Sequence, residues 1–394
     1  MSKRIVLSVA LLIFSFIAST QSNIHFIFQS LPSYHSPNSD IFIAGSFNGW
    51  NPKDNNFKFN KDEEGNYFLE IKLNTGIYEY KITRGGWDKV ECTTTGGDIM
   101  NRSLKITSDT TIEIKVDGWK DHFPSVMTQR KHTAGKNVHI VDTAFLIPQL
   151  QRTRRIWVYL PDGYATSAIR YPVLYMHDGQ NVFDDATSYA GEWGVDECID
   201  TMRTKCIVVA VDNGNDNRMS EYSPYDFVLS GATYASRKIK GEGDQYVDFL
   251  VKTLKPFIDK NYRTLIDKDH TFIAGSSMGG LISMYAILKY PDVFGGAGVF
   301  SPAFWVGPKI FDDIKEKGSQ VHSRIYFYAG GKESDQMVPD MIKAHNEVMK
   351  VSKPVSNFLS TVDGGAMHNE TAWRKQFPHF YLWLMGEEIQ GNKN

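Results

Sequence analysis

Apolar and polar positions change rhythm twice along the chain. Residues 1–20 open with Lys3 and Arg4, run apolar from Ile5 to Ala18 and end on the small residues Ala18, Ser19 and Thr20. That is the layout of an export signal. The apolar run, broken by Ser8 and Ser15, falls short of the roughly 20 residues that span a bilayer. Over residues 21–117 the apolar positions come in short alternating runs separated by turn residues, which predicts an immunoglobulin-like β-sandwich. Its strands are expected at Ile24–Gln29, Asp40–Ala44, Tyr67–Leu73, Tyr78–Thr83 and Thr111–Val116. A polar stretch at residues 118–135 reads as a linker.

Over residues 136–387 apolar runs alternate with helical stretches, which calls for a mostly parallel sheet with helices on both faces. Core strands are predicted at Arg155–Leu160, Val173–Met176, Ile207–Val211, Thr271–Ala274, Gly298–Phe300, Ile325–Ala329 and Phe358–Val362. Helices are predicted at Gly191–Met202, Tyr246–Tyr262, Gly279–Tyr290, Pro339–Lys350 and Ala372–Met385. The fold class is therefore α/β, preceded by a β-sandwich.

Gly275-Ser276-Ser277-Met278-Gly279-Gly280 falls between a predicted strand and a predicted helix. In a G-x-S-x-G turn of this kind the chain reverses so sharply that the flanking residues must be small, and the serine stands at the apex with its hydroxyl exposed. This predicts the nucleophile elbow of an α/β-hydrolase fold, with Ser277 as nucleophile. A serine hydroxyl needs a base, and in this fold acid and base follow the serine in that order. His368 lies in a glycine-rich loop between the last predicted strand and the last helix, whereas His322, His345 and His379 fall beside or within regular elements. For the acid, the strand Ile325–Ala329 runs into a loop carrying Glu333 and Asp335, with Glu333 preferred and Asp335 the alternative. The oxyanion donors are expected from the backbone N–H of Met278 and from Gln180 or Gly179 in the loop His177-Asp178-Gly179-Gln180-Asn181.

The His177–Asn181 loop, the Gly275–Gly280 elbow and the His368–Trp373 stretch together resemble the Putative esterase family, which includes enterochelin esterases and the feruloyl and acetyl xylan esterases of carbohydrate esterase family one. The resemblance covers roughly Lys136 to Gly386. It implies a Ser277–Glu333–His368 triad and no metal or organic cofactor, with the departure that many members carry Asp where Glu333 stands. The N-terminal half is similar to glycogen-binding modules, through Ala44-Gly45-Ser46-Phe47-Asn48-Gly49-Trp50-Asn51, Lys81 and Gly85-Gly86-Trp87. That likeness implies sugar stacking on Trp50 and Trp87 beside Lys81; packing within the sandwich is the competing role for both rings. Trp305, Phe304, Trp373 and the Arg218–Pro224 loop are candidates for the walls of the cleft.

Composition narrows the partners. With 43 basic against 45 acidic residues the formal net charge is -2, and no basic run is long enough to follow a phosphate backbone, which argues against nucleic acid. Past the export signal nothing is apolar enough to span a bilayer, so the mature chain is expected free of the membrane, secreted or periplasmic. Cys92, Cys198 and Cys206 form no disulfide framework, although a Cys198–Cys206 bridge is conceivable in an exported protein. These readings converge on a secreted serine esterase that removes feruloyl or acetyl groups from plant polysaccharide through an acyl-enzyme. Its enzymatic alternative is a siderophore esterase, and its alternative of another class a catalytically inactive glycan-binding protein.

Overall fold

The computed structural model describes residues 21–99, 101–123, 130–229 and 237–386. The export signal expected at residues 1–20 lies outside them, as does the middle of the expected linker. The chain divides into two compact units, one holding residues 21–99 and 101–123, the other residues 130–228 and 238–386. Among the described residues no helix is long and apolar enough to cross a membrane.

The first unit is a β-sandwich. One sheet runs in the order Asn60–Lys61, Tyr67–Asn74, Gln21–Ser30 and Thr110–Lys115; the other runs Phe42–Gly45, Gly76–Thr83 and Arg102–Ile106. Alternate residues of each strand point inward, so Ile24, Phe26, Leu69, Leu73, Tyr80, Ile82, Leu104 and Ile114 fill one core. Trp119 belongs to that core, fully buried. The polar composition around it hides a strand, Gly118–Trp119, that pairs with Glu91–Cys92.

The second unit is built on an eight-stranded sheet in the order Val138–Ile147, Arg152–Tyr159, Ile207–Val211, Val173–His177, Thr271–Ser276, Gly296–Phe300, Arg324–Gly330 and Phe358–Asp363. The strands from Ile207–Val211 onward pair in parallel, while the first two attach antiparallel. Strands such as Ile-Val-Val-Ala-Val at 207–211 are buried on both faces, as a helix-covered parallel sheet requires. Val173, Tyr175, Ile207 and Val209 face a core shared with the helices Gly243–Phe249, Lys255–Asn261, Met278–Lys289, Ile310–Lys317 and Met337–Val351. Leu174, Met176, Val208 and Ala210 face the opposite core, shared with Val195–Thr201 and Glu370–Met385. The architecture is that of an α/β-hydrolase, and it collects the loops after six parallel strands at one edge of the sheet. All three cysteines are free thiols, so the conceivable Cys198–Cys206 bridge is not formed.

Candidate active site

Ser277 stands between the strand Thr271–Ser276 and the helix Met278–Lys289 with φ 60° and ψ −119°. A residue bearing a Cβ occupies that region at a cost of about 1–3 kcal/mol, and surrounding bonds must impose it. Here the Ser277 N–H donates to the Phe300 carbonyl at 2.9 Å, and the Ser277 carbonyl accepts from Ala303 at 3.0 Å and Leu281 at 3.1 Å. Gly275 meets the need for a small flanking residue, because a Cβ there would lie 2.9 Å from the His177 ring and 3.1 Å from the Gly279 backbone. Among the described residues nothing hydrogen-bonds the Ser277 hydroxyl.

The loops after the last two strands are stitched together: Gly331 N–H donates to the Asp363 carbonyl at 2.8 Å, and Lys332 N–H to the Ala366 carbonyl at 2.9 Å. Gly330 permits this approach, since a Cβ on it would run into the Ala366 carbonyl. The result brings His368 Nδ1 to 2.8 Å from Glu333 Oε2. The other carboxylate oxygen, Oε1, accepts from Ser301 Oγ at 2.6 Å and from Gly330 N–H at 2.5 Å. Ser301 in turn accepts from Trp373 Nε1 at 2.9 Å. The Trp373 ring lies edge-on to His368 with centroids 5.1 Å apart and is backed by Trp193. Glu333 thus has three hydrogen-bond partners on two oxygens, an arrangement that fixes the carboxylate and the imidazole plane. Asp335 is exposed and makes no such contact.

The loop after Val173–His177 is held from beneath. Asp178, buried and with φ 56°, accepts a bidentate pair from Arg218 at 2.6 and 2.9 Å and a third bond from Asn213 Nδ2 at 2.7 Å. Burial pushes its carboxyl pKa up, but the Arg218 charge and these bonds outweigh it and leave the group below the ordinary carboxylate range. His177 sits behind the elbow with Nδ1 3.0 Å from the Tyr246 hydroxyl; burial lowers its pKa to about 4, so the ring is neutral at pH 7. Gly179 and Gln180 open a 3-10 turn and Met278 opens its helix, positions whose N–H groups lack an intrahelical acceptor.

A family model described as Putative esterase matches residues 147–384. The chain belongs to the Putative esterase family.

Two curated relatives are similar to this esterase over part of their length. It is 28% identical over 224 residues to an endo-1,4-beta-xylanase/feruloyl esterase of Xylanibacter ruminicola, a match covering 55% of this chain and 27% of that one. It is 26% identical over 257 residues to the iron(III) salmochelin esterase of Escherichia coli O6:H1, covering 61% and 54%. Among solved structures, the enterobactin esterase of Shigella flexneri superposes with a TM-score of 0.53 at 13% identity, over 92% of each chain, a likeness of fold.

Within the sandwich of this esterase, Trp50 and Trp87 lie together, ring centroids 6.2 Å apart and tilted by 42°. Trp87 is 45% exposed and Trp50 half-buried. Lys81 is half-buried, its ammonium bonded to the Ile99 carbonyl. Phe304 packs in the core against Phe311 rather than lining a cleft, whereas Trp305 is exposed. Sequence reasoning missed Ser301, which sits in an ordinary Phe-Ser-Pro string. It also missed the pairing of Asp178 with Arg218, residues 40 positions apart. A signal was there: a serine directly following a strand of the parallel sheet is at the edge where the chemistry collects.

Proposed function

We propose that this chain is a secreted serine esterase in which Ser277 is the nucleophile, His368 the general base and Glu333 the acid that orients it. The observation that carries the reading is the His368–Glu333 hydrogen bond, formed by the loops after two strands of the sheet that also presents Ser277 in a strained elbow. His368 Nε2 takes the proton from Ser277 Oγ as that oxygen attacks the ester carbonyl carbon. Glu333 holds Nδ1–H, so Nε2 carries the lone pair, and it stabilises the imidazolium that forms. The N–H of Met278 and that of Gln180 or Gly179 receive the oxyanion, the helix behind Ser277 adding its positive end. Collapse breaks the bond to the alcohol, which leaves with the proton from His368. Water then attacks the acyl-Ser277 by the same route and releases the acid.

The substrates we favour are feruloyl or acetyl esters on plant polysaccharide or its oligosaccharides. Support comes from the match to a xylanase/feruloyl esterase, from the export-signal layout of residues 1–20 and from the paired Trp50 and Trp87, whose faces suit a pyranose ring. A siderophore ester is the second reading, favoured by the match to the salmochelin esterase. Purified protein and Ser277→Ala are assayed on methyl ferulate, acetylated xylan and a ferric catecholate trilactone. Ferulate or acetate release that disappears in Ser277→Ala is the expected result, and preference for the trilactone moves the assignment to siderophores. A folded protein that hydrolyses none of them, yet binds glycan more weakly after Trp87→Ala, refutes the catalytic reading.

A further inference from the structure

A cavity of about 370 Å³ opens beside the proposed oxyanion loop, lined by Arg155, Gln180, Thr187, Asp212, Asn213 and Asn215. Its volume falls at the small end of ligand sites, about 300–1,000 Å³. The position is the favoured one for a ligand in an open α/β sheet, outside the carboxyl ends of parallel strands: Asp212 follows the strand Ile207–Val211, and Gln180 follows Val173–His177. The cavity wall and the proposed oxyanion loop are in direct contact, since a Cβ on Gly179 would lie 2.8 Å from the Asp212 nitrogen.

The framework of the cavity is rigid. Asn213 N–H donates to Gln180 Oε1 at 3.2 Å, its side-chain amide donates to Asp178, and its Oδ1 accepts from Asn215 N–H at 2.9 Å. Asp212 Oδ1 accepts from Trp157 Nε1 at 2.7 Å, and Thr187 Oγ1 donates to the Gln180 carbonyl at 2.7 Å. What those bonds leave over is informative. Among the described residues, the Gln180 Nε2 donors, the Asn215 side-chain amide and the Arg155 guanidinium have no hydrogen-bond partner, and Asp212 Oδ2 has only Arg155 Nε at 3.6 Å. Arg155 Nε is itself buried without a hydrogen bond.

Polar side chains with unpaired donors therefore line one small space, in which the Arg155–Asp212 ion pair balances one positive against one negative charge. A hydroxyl group uses both a donor and an acceptor, so vicinal hydroxyls match this lining. An anionic catecholate gains no net attraction from a lining in which Arg155 and Asp212 offset each other. We propose that this cavity binds a neutral, hydroxyl-rich unit of the substrate, a sugar ring joined to the ester, and so selects sugar esters over simple alkyl esters. The proposal rests on the serine-esterase reading above.

Steady-state kinetics on methyl ferulate and on a feruloyl ester of arabinose test it, in wild type, Ser277→Ala, Arg155→Met and Asn215→Gly. The last keeps the left-handed turn at position 215 (φ 50°) while deleting an exposed side chain. Each cavity variant should lower kcat/KM on the sugar ester about tenfold, chiefly through KM, with methyl ferulate changed less than about twofold. Equal losses on both esters, or none on either, overturn the proposal. Serine-dependent hydrolysis in which the wild type gains nothing from the sugar overturns the cavity assignment while leaving the triad intact. Absence of serine-dependent hydrolysis on both esters overturns the catalytic reading and the cavity proposal with it.

Discussion

Replacing Glu333 by Gln changes one atom and tests how the proposed triad works. In the wild type Oε1 is fixed by two donors, the Ser301 hydroxyl and the Gly330 N–H, and Oε2 faces His368 Nδ1. A glutamine in this place must put its carbonyl oxygen toward the two donors, because its NH2 cannot accept from them. The NH2 group then points at Nδ1 and donates to it. His368 is forced into the tautomer with its proton on Nε2, the nitrogen that faces the nucleophile and must be free to take a proton. Lost preorganisation of this kind costs about 10⁴-fold in kcat, or about 5.5 kcal/mol of barrier. Stability should change little, because the oxygen keeps both donors: about 1–2 kcal/mol for exchanging charge-assisted bonds for neutral ones, a shift of a few degrees in Tm. The assay is kcat on methyl ferulate at pH 7, with thermal unfolding as control. Retention of more than about a tenth of wild-type kcat, or an equal loss in Asp335→Asn, refutes the assignment of the acid and the tautomer argument with it.

Other perturbations separate positioning from packing and acid sensitivity from base sensitivity. Trp373→Phe keeps the ring edge beside His368 but removes the donor to Ser301; kcat should fall about fivefold, as expected for one neutral hydrogen bond, with KM unmoved and the acid limb of the pH–rate profile displaced. An unchanged kcat and pH profile would show that Ser301 and Trp373 only pack. His177, fully buried and lowered to about 4 from an ordinary 6.5, binds its proton in the unfolded chain before the folded one. Its contribution is present above pH 6.5 and lost as pH falls toward 4, about 3 kcal/mol in all, so His177→Gln should flatten urea-unfolding stability over that window. Asp196 runs the other way: burial raises its pKa to about 7, so it binds its proton in the folded chain first and opposes folding as pH rises from 4 to 7. Asp196→Asn, able to keep the bond from Gly135 N–H, should therefore stabilise the protein at pH 8 and leave it unchanged at pH 4; the same difference at both values refutes this.

The parallel strands were legible because their apolar runs are unbroken, and the elbow because strand, glycines and helix agree over a few residues. The position of His368 in the loop after the last strand was legible too. The choice between Glu333 and Asp335 was not, because it depends on Gly330 letting one loop press against another some 35 residues later. The strand Val138–Ile147 escaped notice for a different reason: it is an edge strand exposed along much of its length, Ile140 and Leu146 included, so no burial stripe marks it. The strand Arg102–Ile106 and the helix Ile310–Lys317 were also missed; each is short, five and eight residues, too few for a period to stand out. Contacts between distant segments, such as Ser301 with Glu333 or Arg218 with Asp178, leave no periodicity to read.

The backbone at Ser277 also sets a direction for change. Glycine enters the left-handed region without steric cost, so Ser277→Gly should raise stability relative to Ser277→Ala, while both lack the hydroxyl. Asp178 and Ser301, at φ 56° and 42°, sit at the ends of the two neighbouring strands and are under the same constraint. Selection for thermal survival alone would thus drift toward glycine at Ser277, whose hydroxyl has no hydrogen-bond partner among the described residues, but not at Asp178 or Ser301, whose side chains hold Arg218 and Glu333. Only selection for turnover keeps a side chain at Ser277, and a heat-hardened library of this protein should be sequenced first at that codon.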